Sequence, residues 1–353
     1  MAIADERIRT RSFLQRSLER PELGSVFGLV IIVAAFMMMT ASSGTFSAMW
    51  TNPIGIQAWV ELAAFVGILA IAAAFLMIAG EFDLSMGANI ALAGHTFSLL
   101  LIFGWPVGVA VLFTLMELLF VGWLIGIIVV RTGLPSFIVS LGFWFASRGF
   151  AVFMSQSLVN QSRLSVKAQL KPPAGGGEDP SWADNVFAFD QAFGLSFDAE
   201  VYYFIILTIV AALVLHRTKL GNWIFSAGGD PVAARAVGVP VAQVKIGLFM
   251  FSASMACLLG ILTVMTSGAS DPQAGDFREL HAIAAAVIGG CALMGGYGSV
   301  IGAVLGAFIF AIASRGINFV PFIDNNLFRV MLGLLILGAA LLNQFLRNRV
   351  VRG

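Results

Sequence analysis

The chain has 353 residues, 59% of them hydrophobic and only 11% charged, and its mean hydropathy is +0.93. A soluble domain carries about 25% charged residues. A globule of this size cannot hide so much apolar surface from water, which excludes a soluble enzyme, a nucleic-acid binder and a disordered chain.

Residues 1–23 hold five arginines and four acids, too long and too acidic a stretch for a cleaved leader, and read as a cytoplasmic N-terminal tail. Ten apolar runs follow, at roughly 24–41, 57–80, 84–103, 107–130, 135–155, 200–216, 243–267, 280–294, 298–315 and 326–346. Crossing a bilayer takes about 20 apolar residues, and none of the runs alternates as a strand does. The expected fold is an all-α polytopic membrane protein. A transmembrane domain over 24–346 carries about ten transmembrane helices, and a cytoplasmic basic tail follows at 347–353. An even number of spans puts both termini on one side. That side collects thirteen lysines and arginines against six on the other, which makes it the cytoplasm. Cys257 and Cys291 lie inside apolar runs without metal-ligand spacing and read as packing residues.

Two longer polar stretches interrupt the spans. Residues 156–199, rich in Pro, Gly and acids, read as an irregular external loop with a short interfacial helix. Residues 217–242 face the cytoplasm and contain Gly228-Gly229-Asp230-Pro231, then Ala234, Arg235 and Gly238. Asp230 is a helix N-cap, Pro231 suits the first helical position, and Gly238 followed by Pro240 is a stop. The spacing predicts a helix of about two turns held between two spans, suited to transmit motion from a docked partner. The Gly80–Gly87 and Gly290–Ser299 turns share a layout, a weak internal repeat of the kind found in transporters.

Charged groups inside spans are costly and mark function or pairing. Glu117 and Arg148 fall at depths differing by about 5 Å on consecutive antiparallel helices, and are expected to form a buried structural pair. Asp83 precedes a helix and is placed to cap it, with Ser85 just inside. Glu81, Phe82, Asp83, Asn89 and His95 cluster at this break and are candidates to line a solute path, because hydroxylated solutes need donors, acceptors and an apolar face. Gly298, Gly302 and Gly306 recur every four residues and predict a flat strip for helix packing. Asp271, Asp276, Arg278 and Glu279 are candidate contacts on an external turn.

Three segments carry a resemblance. The first is Gly80 to Gly94 with Asp83-Leu84-Ser85 and Gly87. The second is the 228–240 loop, and the third runs from Ala274-Gly275 through Glu279-Leu280-His281 to Gly295-Gly296-Tyr297-Gly298-Ser299. Together, over roughly 55–346, they resemble bacterial ABC-importer permeases of the ribose, xylose, arabinose and galactose group. Glu81-Phe82 stand where that family carries small and aliphatic residues, and the external loop is longer than in ribose-type members. The resemblance implies a multi-pass protein of the bacterial cytoplasmic (inner) membrane that works by alternating access. Its implied partners are a second copy of itself, a cytoplasmic ABC ATPase, an external solute-binding protein and a sugar, with membrane lipid around it and no nucleic acid. It also implies that residues 230–238 are the coupling helix. ATP and magnesium would belong to the partner, since no Gly-Lys pair, and hence no phosphate-binding loop, occurs in this chain, and no cofactor is expected on it. A nucleoside or cyclic polyol permease is the alternative. Beyond it stands a gradient-driven transporter using Glu61, Glu81, Asp83 or Glu117. A membrane enzyme fits poorly, because His95, His216 and His281 are scattered.

Overall fold

The computed structural model describes residues 21–170, 181–188, 191–192 and 195–321, with 330, 333–334 and 337–338 beyond them. The predicted tenth span at 326–346 falls almost wholly outside the described residues, as do nearly all of the N-terminal tail and the whole of the 347–353 tail.

Nine predicted runs become helices. They are α1 (Pro21–Ser42), α3 (Pro53–Ile78), α4 (Met86–Ile102), α5 (Val107–Thr132), α6 (Ser136–Val159), α8 (Ala199–Arg217), α11 (Val241–Ser267), α12 (Arg278–Ile288) and α13 (Val300–Gly316). Short helices α2 (Phe46–Trp50), α7 (Ser181–Phe187), α9 (Lys219–Gly229) and α10 (Pro231–Ala236) join them. Among the described residues, sheet is confined to two-residue pairs, Leu164–Ser165 with Ala269–Ser270 and Gln191–Ala192 with Leu195–Ser196. Among the described residues, seven helices are long and apolar enough to cross a membrane. Two of the nine fall short: α4 has 17 residues, about 26 Å of rise, and the run at 280–294 is shorter still. Its helix α12 has 11 residues, about 16 Å of rise against an apolar layer of about 30 Å, so it does not cross alone.

The core forms around α3. Its sequence interleaves seven alanines with Leu, Ile, Val and Phe, which lets other helices approach on every side; α8, α11, α12 and α13 all pack on it. From Ala63 to Ile78 nearly every side chain is fully buried. α5 docks on α11 through a narrower stripe. A Cβ on Gly122 would lie 2.6 Å from the Phe249 carbonyl oxygen, so only hydrogen fits. Gly302 and Gly306 seat α13 on α12 in the same way, with a Cβ on either lying 2.0 Å from the Gly289 or Ala285 carbonyl. Gly298 is a correction to the predicted strip. It precedes the Ser299 N-cap and packs in the turn against Ile78 and Cys291.

Candidate functional site

α3 ends at Ile78, and the chain turns at Gly80 in the left-handed region, φ +79°. Residues 81–85 then run without helical structure until α4 begins at Met86. Glu81, Asp83 and Ser85 are all buried here. Their contact Ser252 lies eleven residues into α11, about 17 Å along a helix, so this non-helical backbone sits deep in the apolar layer. Unpaired N–H groups are costly there, and α6 supplies hydroxyls for them. Phe82 N–H donates to Ser136 Oγ and Leu84 N–H to Ser140 Oγ, both at 3.0 Å. Two extended residues advance about 6.6 Å and four helical residues about 6.0 Å, so the serine spacing matches alternate N–H groups.

The Asp83 carboxylate ties the turn before α4 to α11. Its Oδ1 accepts from Ser85 N–H at 2.8 Å and Ser85 Oγ at 2.5 Å, and its Oδ2 accepts from Ser252 Oγ at 2.6 Å. Asn89 extends the chain, donating to Ser85 Oγ at 3.0 Å and accepting from Ser147 Oγ at 2.8 Å. Asp83 thus orders the turn ahead of α4 rather than capping its first turn. Glu81 is held by Lys245 from the first turns of α11. His95, fully buried, sets its ring nitrogens 2.9 Å from the Ala91 carbonyl and 3.0 Å from the Ser162 carbonyl. Phe82 packs on the core around α3. The five candidates for the solute path therefore spend their polar or apolar atoms on neighbouring protein groups.

Glu117 and Arg148 do not pair, which corrects the sequence expectation. Similar depth did not decide the contact; helix rotation did. α5 turns Glu117 toward Thr96 of α4 and Cys257 of α11. Arg148 on α6 points instead at the strap between α11 and α12 (residues 269–277). Its guanidinium donates to the Pro272 carbonyl at 2.5 Å and the Ala274 carbonyl at 3.5 Å, and meets the Asp276 carboxylate at 2.6 Å. The Trp144 ring lies beneath it, 5.0 Å away. Of the four residues assigned to the external turn, Asp271 lies 3.8 Å from Arg163. Asp276 is taken by Arg148, Arg278 stacks 4.9 Å over Phe65, and Glu279 is buried.

The 217–242 loop is ordered as two helices. Thr218 caps α9 by accepting from Gly221 N–H. Asp230 Oδ1 accepts from Val232 and Ala233 N–H at 2.9 and 3.0 Å, capping α10. Val239 N–H returns to the Ala234 carbonyl at 3.0 Å, and Gly238 takes φ +85° to close that turn, as the predicted stop requires. α10 has six residues, about 1.7 turns, close to the expected two. Ala234 is buried beneath it, while Arg235 is exposed and Val232 and Val237 are 74% and 80% exposed. The pair Gly228-Gly229 serves a further purpose. A Cβ on Gly228 would lie 1.8 Å from the Ile78 carbonyl oxygen, and the same oxygen accepts from Gly296 N–H at 2.8 Å. Backbone from α9, the end of α3 and the 290–298 turn thus meet at one point.

The family model described as the permease component of the branched-chain amino acid transport system matches residues 55–340. The chain belongs to that family. It is 30% identical over 322 residues to the probable ABC transporter permease protein YphD of Escherichia coli, covering 91% of this chain and 90% of that one. It is 28% identical to the xylose transport system permease protein XylH of Escherichia coli, covering 82% and 84%. With the fructose import permease protein FrcC of Rhizobium meliloti it shares 27% identity over 91% of this chain and 85% of that one. No solved structure matches. This permease is a multi-pass membrane transport subunit.

The sequence reading passed over the α6 serines. Ser136, Ser140 and Ser147 recur on one face of an otherwise apolar span, and polar residues so placed were the available signal.

Proposed function

We propose that this permease forms the membrane path of an ATP-driven sugar importer of the bacterial inner membrane. It would pair with a second copy, take solute from an external binding protein and be driven by a separate cytoplasmic ATPase. The relatives whose names state a cargo carry xylose, fructose or ribose, and this supports the sugar class over the amino acids in the family's description. The observation that carries the ATPase coupling is α10. It is a short helix capped by Asp230, and it presents Val232, Arg235 and Val237 to solvent. A surface of that kind suits a partner's cleft. Closure of the ATPase on nucleotide would push α10, and the Gly228–Ile78–Gly296 contact would pass the push to the break at 81–85. Alternating access then follows from rearranging a segment held by side-chain hydroxyls, which can exchange partners without breaking a helix.

Co-purification tests this reading. The chain is expressed with its ATPase, with and without Arg235→Glu. The variant should insert normally and lose at least tenfold in recovered ATPase. Unchanged recovery would remove α10 from the interface and favour a gradient-driven transporter, whose uptake an ionophore abolishes.

A further inference from the structure

At the end of the helices remote from α10, two adjoining cavities of about 360 and 270 Å3 lie between α4, α11 and the strap. Both are lined by Ile90, Thr263, Gln273 and Ala274, so one leads into the other. The outer cavity is edged by Asp271 and Arg163, and the inner one reaches Phe65 and Arg278. Phe65 lies twelve residues into α3 and Ile90 twelve residues from the end of α4, about 18 Å of helical rise in each case. The path therefore descends from the rim to the middle of the apolar layer. There it stops, because Gly275 of the strap rests on α4 so closely that a Cβ would lie 2.2 Å from the Gly87 carbonyl oxygen.

The lining is rich in hydrogen-bonding groups, and its two acids are paired. Thr263 Oγ1 donates to the Leu259 carbonyl at 2.7 Å, which leaves its lone pairs for a ligand. Ser270 is 3% exposed, lines the outer cavity, and its Oγ has no partner. Gln273 is exposed on the strap. The acids of the wall already have cations, Asp271 with Arg163 and Asp276 with Arg148. Arg278 stacks on the Phe65 ring. A zwitterionic amino acid would bring an ammonium that needs an unpaired carboxylate, and both acids of the wall are already paired. A neutral polyol needs donors, acceptors and an apolar face, and paired carboxylates and guanidinium groups keep spare acceptor and donor positions.

We propose that this stepped cavity is the outer half of the translocation path and that it receives a neutral polyhydroxylated solute. Thr263, Ser270, Gln273, Asp276 and Arg278 form its polar wall, and Phe65 and Ile90 its apolar one. The proposal rests on the importer reading above and adds to it the place and the chemistry of entry.

Thiol labelling tests it. Cys257 and Cys291 are 1% and 0% exposed, so the native chain gives little background with a membrane-impermeant methanethiosulfonate. Thr263→Cys and Gln273→Cys are each expressed with the ATPase and binding protein, and Leu112→Cys on the outward face of α5 is the control. Uptake of radiolabelled D-xylose, D-fructose, D-ribose and L-leucine is measured before and after labelling. Labelling at 263 or 273 should lower sugar uptake at least tenfold relative to the same unlabelled variant. Labelling at 112 should leave uptake unchanged, and L-leucine should not be carried. Labelling that spares sugar uptake, or no labelling at either position, overturns the site while the importer reading stands. L-leucine uptake blocked by labelling overturns the solute class, and a native chain that carries none of the three sugars overturns the reading beneath it.

Discussion

Helices α3 and α5 are each 26 residues long with the same mean hydropathy of 2.4, yet 89% of the apolar stretch of α3 is buried in the protein and only 33% of that of α5. Hydropathy reports that a segment leaves water. It does not report whether protein or lipid replaces the water. The difference lies in side-chain size. α3 has seven alanines and so small a girth that helices close around it, whereas α5 has one alanine and carries Leu112, Phe113, Met116 and Phe120 on its outer face. What α5 buries is a stripe along Ala110, Thr114, Leu118, Gly122 and Gly126, four residues apart, the spacing of one helix face.

The contrast between inner and outer faces can be broken by substitution, and thermal melts of purified protein would rank the effects. The largest belongs to charge. Lys245→Met strands the Glu81 carboxylate, whose side chain is 11% exposed, and should cost about 3–5 kcal/mol. Adding Glu81→Gln should recover most of it. If the double variant melts no higher than the single, the pair is not what holds this end of α11. Gly122→Ala comes next, because its Cβ would meet backbone of α11; a cost of about 1–3 kcal/mol is expected for such overpacking. The same change at Gly247, with nothing within 4 Å, should stabilise by about 0.5–1 kcal/mol through helix propensity. Equal melts for the two glycine variants would contradict the assigned faces. Ser140→Ala removes the acceptor of Leu84 N–H and should cost about 1 kcal/mol, with Ser140→Thr close to the native melt. Leu112→Ala, on a side chain 63% exposed, should stay within about 0.5 kcal/mol.

Much of this architecture was legible in the sequence, and the losses have identifiable causes. Run lengths gave nine helices to within a few residues, because an apolar stretch must be paired internally once it leaves water. The Asp230 cap and Gly238 stop were readable because both act locally. The half-length of α12 was not, since the apolar run continues past Ile288 through Gly289 to Met294 and composition does not show where a helix ends inside protein. Arg148 was seen as a buried charge, but its partner was mistaken. Rise fixes depth along a span, and only packing fixes which neighbour a side chain turns to. The runs at 57–80 and 84–103 bracket the break at 81–85, yet the serines that make it tolerable sit on another helix, more than fifty residues away in sequence.

The contact of Gly228 with the Ile78 carbonyl has a mechanical side. A side chain between two helices acts as a spring: it can change rotamer and absorb a shift of an ångström before its neighbour feels it. Main chain on main chain has no such slack. A displacement of α9 must move the end of α3 and, through Gly296 N–H on the same oxygen, the 290–298 turn with it. The joint is stiff because nothing larger than hydrogen fills it, and a methyl group added at Gly228 would force the three segments apart.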